Sequence, residues 1–401
     1  MSDHRLRDLL EDRVAEIATA DLVDGAWERA HAVRRRRAAV TASVVVAAVV
    51  GTTGVVVGTN GGHDPAPPAG SPTSTSTSPS PEVHSGPKAH RAGSYGGADV
   101  WWAPAPAQEW ELPPLTGTPL PPVVDLSPGR PAWPGGMAAV GIVQLWGDDP
   151  GRVVVIGSDG ASYTLDTSRL DPVADGGGNQ RPPVTQASLA PDGLHAFFVQ
   201  ERSLEVYDVV AGSWASIPTA RWAAEGASWD SDGLIEVPVL TSDAGRKRLF
   251  SASGEDRGTT LDPTRTIVLA DGDDPYGRAS WGSGGWWAGS LYLAGPLETD
   301  DGTYRSIDAV AVVDGTLSGR PFAADMVLAM RPWSGDDARW KQCCPVLGWA
   351  DNRTVLFESR WAGAAILAWR IGTPYVYRVS DIGGWTPGEE SFVASFAVAG
   401  R

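Results

Sequence analysis

Cysteine and histidine are nearly missing where chemistry would need them. Cys343 and Cys344 are the only two cysteines in 401 residues. Five of the six histidines, His4, His31, His63, His84 and His90, precede residue 91, which leaves His195 alone in the rest of the chain. A histidine metal site needs several converging ligands. A Ser-His-Asp site needs its one histidine beside a nucleophile. His195 follows Pro191-Asp192-Gly193-Leu194 and reads as a half-exposed residue at a turn-to-strand junction. Lysine is confined to Lys88, Lys247 and Lys341, and the net charge is −16. Residues 1–37 hold eight acidic and eight basic side chains, so the acidic excess lies entirely beyond them. Such a surface argues against a nucleic-acid partner, whose phosphates call for Lys and Arg.

Charge is also absent from residues 38–58, AAVTASVVVAAVVGTTGVVVG, which follow the block Arg34 to Arg37. At about 1.5 Å per residue such a run matches a hydrocarbon core of about 30 Å. Flanking arginines favour a cytoplasmic N-terminus. The expectation is one transmembrane helix at 38–58 and a cell-membrane protein with its C-terminal domain extracytoplasmic. A secretory signal and a buried core helix are the competing readings; the long stretch before the run and its lack of a polar face speak against them. Before it, Leu6, Leu10, Val14 and Ile17 share one helical face, and a second segment runs from Leu22 to Val33. Residues 1–37 therefore read as a cytoplasmic helical tail, with residues 1–33 offered to a cytoplasmic partner or the membrane. Residues 59–94, rich in Pro, Ser and Thr, read as a disordered linker.

From residue 95 to 401 short β-rich runs alternate with Gly/Asp turns every 8 to 12 residues, as in an all-β fold. One pattern recurs. Ala187-Ser-Leu-Ala-Pro-Asp-Gly-Leu194 aligns with Ala227-Ser-Trp-Asp-Ser-Asp-Gly-Leu234, with Ala279-Ser-Trp-Gly-Ser-Gly-Gly-Trp286 and, more loosely, with Leu347-Gly-Trp-Ala-Asp-Asn-Arg-Thr354. Self-similarity of this length is the mark of β-propeller blades. Counting these units, one more at 138–167 and a closing one from the early strands Val100–Trp102 and Glu109–Glu111 with Ser391–Val398 gives six blades, with five or seven as alternatives. A pair of β-sandwiches is the competing fold.

The turn Ser188-Leu-Ala-Pro-Asp-Gly193 resembles the one that opens blades in TolB-like and WD40-like propellers. No Trp-Asp dipeptide closes a blade and no Gly-His opens one, unlike true WD40 repeats. Tail, arginine block, span, spacer and propeller together resemble a family of uncharacterised actinobacterial single-pass membrane proteins. That resemblance implies a fold and says little about activity.

Seventeen of the 18 tryptophans lie beyond residue 100. Trp229, Trp281 and Trp349 occupy repeat-equivalent positions and read as packing. Trp101, Trp102, Trp286, Trp287, Trp333 and Trp340 have no such explanation and are the candidate ligand-binding residues, since an indole face stacks on sugars. Neighbouring Cα atoms lie about 3.8 Å apart, below the usual disulfide range. Cys343 and Cys344 read first as a vicinal disulfide, with free thiols, an interchain link or a redox switch as alternatives. The acidic groups Asp271, Asp273, Asp274 and Asp300, Asp301 do not fit the EF-hand spacing, so no metal or cofactor is expected. The functional expectation is a membrane-anchored extracytoplasmic propeller that binds a ligand, such as a cell-wall glycan, or scaffolds proteins. The alternative is a propeller hydrolase or lyase acting on glycans or peptides.

Overall fold

The structure is a computed structural model. It describes residues 85–398 apart from 147–150, 175–179, 222, 240–245, 262–266, 268, 270–271, 283–284, 300–301, 316–323, 331–341, 362 and 388–390. The chain divides into units 1–78 and 79–401, and the architecture below is that of the second.

Five antiparallel sheets follow one another in a propeller order. Blade 1 runs Ser391–Phe396, Ala139–Trp146, Val153–Gly157, Ser162–Leu165 from its inner strand outward. Blade 2 runs His195–Val199, Ser203–Asp208, Ser213–Pro218, with an inner bridge between Leu189 and Ala196. Blade 3 runs Ser228–Trp229, Ile235–Pro238, Arg246–Phe250, Asp256–Leu261. Blade 4 runs Asp274–Trp281, Trp286–Leu293, Ile307–Asp314, Met326–Ala329, and blade 5 runs Val346–Asp351, Thr354–Arg360, Ala364–Arg370, Val376–Gly383. The repeated turn always joins the first strand of a blade to its second. In blade 2, Gly193 there has φ 72° and its Cα lies so close to the Ala139 carbonyl that a Cβ would sit 2.0 Å from that oxygen. Only glycine meets both conditions.

Alternation along the strands builds the cores between blades. Val355 and Phe357 pack with Val310, Val312 and Leu328 between blades 5 and 4. Leu356 and Ile366 pack with Val143, Phe392 and Phe396 between blades 5 and 1. Similar clusters join blades 1 and 2 through Ile142 and Phe198, and blades 2 and 3 through Phe197 and Trp229.

Two expectations are corrected here. Among the described residues, the expected six blades become four sheets of four or more strands plus one of three, beside two small two-stranded ribbons. Ser391–Phe396 pairs with Ala139–Trp146, not with the early strands. Those early residues lie on the outside. Ala98–Trp102, backed by His90–Tyr95, adds parallel to Met326–Ala329 of blade 4, and Val123–Asp125 adds parallel to Val376–Gly383 of blade 5. Both cover edges that would otherwise present unpaired backbone groups. Pro106–Glu111 is a 3-10 turn, not a strand, because its proline cannot donate to a ladder.

The second correction concerns the membrane. The tail at 1–37, the span at 38–58 and most of the linker lie outside the described residues, and among the described residues no helix is long and apolar enough to cross a membrane. The single-pass topology, membrane localisation, extracytoplasmic placement, cytoplasmic partner of residues 1–33 and actinobacterial assignment are accordingly set aside.

Candidate functional site

The inner strands of blades 3, 4, 5 and 1 share a direction, so their starts, the ends of the second strands and the starts of the third strands gather at one end of the fold. Polar side chains inside otherwise apolar runs concentrate there, around blades 4 and 5.

Residues 342–346 enter the inner strand of blade 5 at this end, and blade 4 holds them at four backbone positions. Both oxygens of Asp308 accept from the Gln342 N–H, at 3.0 and 3.1 Å. The Tyr276 hydroxyl accepts from the Cys344 N–H at 3.3 Å. Ser290 Oγ donates to the Cys344 carbonyl at 2.9 Å and accepts from the Val346 N–H at 2.8 Å. Gln342 has φ 62°, one of two non-glycine residues with positive φ among the described residues. That conformation costs about 1–3 kcal/mol and persists only where the surroundings fix it. The Gln342 side chain is exposed, while Cys343 and Cys344 are fully buried and bonded to each other. Such a bond closes almost no chain, so loop entropy adds little to stability.

Asp308 is 8 % exposed. It also accepts from the Tyr276 hydroxyl, and burial first, then this carboxylate, holds the phenol well above its usual pKa. On the other side of blade 5, Glu358 is fully buried at the end of the second strand. Arg360 Nε donates to its Oε2 at 2.5 Å. Oε1 has no hydrogen-bond partner among the described residues. Burial raises the Glu358 pKa, and the charge and hydrogen bond of Arg360 pull it back. Arg360 lies over the Phe392 ring at 4.3 Å, and Trp385 meets that ring edge-on at 5.1 Å.

The sequence-selected tryptophans are not gathered here. Trp102 is fully buried and edge-on to Tyr304. Trp101 and Trp286 are half-buried against the core between blades 4 and 5, and Trp287 packs on the opposite side of blade 4. Trp333 and Trp340 lie outside the described residues, as do Asp271, Asp300 and Asp301. Asp273 accepts from the Tyr95 hydroxyl and the Ala294 N–H. Among the described residues no group of three or more His, Cys, Asp or Glu is placed to hold a metal ion. His195 is 3.9 Å from Asp208, whose carboxylate already accepts from the Val210 and Ala211 N–H groups in a turn. Tyr276, Asp308, Glu358 and Arg360 were missed. A signal existed for two of them: Asp308 and Glu358 interrupt the apolar runs Ile-Asp-Ala-Val-Ala and Val-Leu-Phe-Glu.

No protein-family model matches the chain, and no curated protein matches it in sequence. Among solved structures it is similar to TolB from Acinetobacter baumannii, with 13% identity, 66% of this chain and 68% of that one covered, and a TM-score of 0.36. A putative TolB from Agrobacterium tumefaciens gives 13% identity, 65% and 99% coverage and a TM-score of 0.28. The structure of U3-55K gives 9% identity, 64% and 85% coverage and a TM-score of 0.28. With TM-scores below 0.5, these likenesses carry no argument. The fold assignment rests on strand order and on the repeat.

Proposed function

We propose that the chain is a binding module that receives a protein or ligand at the end of the fold where Gln342 is exposed. The observation that carries this is the pinning of residues 342–346. An exposed side chain sits on a backbone conformation that costs energy, and three polar side chains of blade 4, Asp308, Tyr276 and Ser290, hold the segment in place. Such strain, retained on a well-supported frame, marks sites where pre-organisation matters. The half-exposed Trp385 and the Arg360–Phe392 stack extend the same end toward blade 1 with the aromatic and arginine side chains that dominate interface energetics.

The test is site-specific photo-crosslinking in the source cells. A photoreactive residue replaces Gln342 or Trp385 at this end, or Asp232 or Arg353 at the opposite end. Adducts are expected from the first pair and not from the second. Adducts from the second pair alone, or equally from both, would remove this end as the binding surface.

A further inference from the structure

Among the described residues Trp110 stands apart from every other aromatic side chain. It is 56 % exposed, the only aromatic among the exposed large hydrophobic residues of the described part of the chain. It sits in the turn Pro106–Glu111, against Trp361 and Arg378 of blade 5. Its neighbour Glu109 is fully buried and completely engaged. Ser359 Oγ donates to one carboxylate oxygen at 2.8 Å, and Trp361 Nε1 donates to the other at 3.1 Å. Arg378 Nη1 donates to the Glu109 carbonyl at 3.0 Å. Burying a carboxylate is costly unless it is paired and hydrogen-bonded. Leaving an indole in water forgoes the gain of burying it. Stability alone therefore gives no reason to clamp one residue so firmly and then face the next one outward.

The ring itself is prepared on one side only. The Arg378 guanidinium lies 4.2 Å from the ring centroid and is oriented by ion pairing with Asp381. Trp361 meets the ring edge-on, with centroids 6.0 Å apart and planes at 68°. With 56 % of its surface exposed, the indole keeps area free for a ligand while Arg378 and Trp361 set its position. Asp381, the ion-pair partner of Arg378, has a side chain 42 % exposed, and the chain neighbours Glu111 and Gln108 are exposed.

We infer that Trp110 is the stacking platform of a saccharide subsite. A pyranose offers a flat face of C–H groups to an indole and turns its hydroxyls outward, where Asp381 and Glu111 can accept from them. A protein hot spot instead needs a wider apolar surround to exclude water, and this ring is bordered by charge. The carboxylates and the net charge of −16 disfavour uronate or phosphate groups. The ligand class is accordingly a neutral or N-acetylated oligosaccharide. This subsite is independent of the pinned segment at 342–346.

Calorimetric titration of the full chain with cellohexaose, chitohexaose and an oligogalacturonate tests the assignment. One of the first two is expected to bind, and the oligogalacturonate is not. Trp110→Ala should weaken that binding about tenfold or more, the share of one well-placed aromatic contact. Trp110→Phe should keep part of it, and both variants should stay folded, with at most a modest fall in melting temperature from the lost contacts with Arg378 and Trp361. Absence of binding to either neutral probe, binding of the acidic probe alone, or undiminished binding by Trp110→Ala would overturn the proposal. So would a protein crosslinked from position 110 in a chain that takes up neither probe.

Discussion

Tyr95 ties the N-terminal hairpin to blade 4 through its hydroxyl, which donates to Asp273 Oδ1 at 2.9 Å and accepts from the Gly295 N–H at 3.2 Å. Burial above all, then the bond to Asp273 and the carboxylate's charge, push the phenol up to about 12. Unfolded, it would release its proton near 10. Between about 10 and about 12 the folded chain retains a proton that the unfolded chain has lost, so stability falls as pH rises through that window and is complete below it. Tyr95→Phe should cost about 1 kcal/mol at neutral pH through the lost hydrogen bonds. It should also flatten part of the alkaline loss, leaving the share of Tyr276. Urea midpoints measured at intervals from pH 8 to 12 check this, and parallel curves for the two proteins would refute it. None of this was legible beforehand. The sequence places Asp273 in an acidic group that reads as solvated, and only the fold brings Tyr95 to it across 178 residues.

The repeat unit was legible as an element, but its bonds were not. Trp229 Nε1 donates to the Ser188 carbonyl at 2.9 Å, and Trp349 Nε1 donates to the Ser280 carbonyl at 3.2 Å. Each acceptor stands one residue before the equivalent position of the preceding blade, so the same indole stitches blade 3 to blade 2 and blade 5 to blade 4. Spacing alone reveals the equivalent positions. It cannot reveal the acceptor, because a carbonyl has no sequence signature. Blade 2 carries Leu189 at this position and uses another device: Ser395 Oγ accepts from the Leu189 N–H at 2.9 Å and donates to the Gln186 carbonyl at 3.0 Å. Trp229→Phe and Trp349→Phe should each cost about 1 kcal/mol, the worth of one hydrogen bond, since the Ser188 carbonyl still accepts from the Phe197 N–H. The two costs should add, because the residues share no partner. Chemical denaturation of both single variants and the double variant measures this. A silent Trp229→Phe would show that the stitch contributes nothing and that ring packing does all the work.

At the scale of the whole molecule, the N-terminal strands and the closing strand are where sequence reading fell short. Ala139–Trp146 is a plain apolar run, and nothing local says that its partner lies some 250 residues on, at Ser391–Phe396. Pairing over such a separation is fixed by global packing, which periodicity does not encode. The energetic weight of that closure can be bounded. Phe392, Ala394, Phe396 and Val398 are buried in the core shared by blades 1 and 5, and Ser395 makes the link to blade 2. Three large apolar side chains at about 1.5–3 kcal/mol each come to roughly 5–9 kcal/mol, comparable to the whole stability of a typical domain, about 5–15 kcal/mol. Removing residues 391–401 also bares the edge of Ala139–Trp146. The truncated chain should therefore lose its cooperative transition altogether, with amide exchange accelerated in blades 2 and 3 as well as in blade 1. Calorimetry together with hydrogen exchange reads both effects. If the truncated chain melts at the wild-type temperature, or if protection is lost only between residues 139 and 165, the closing strand is an appendage and the blades are held by their neighbours alone.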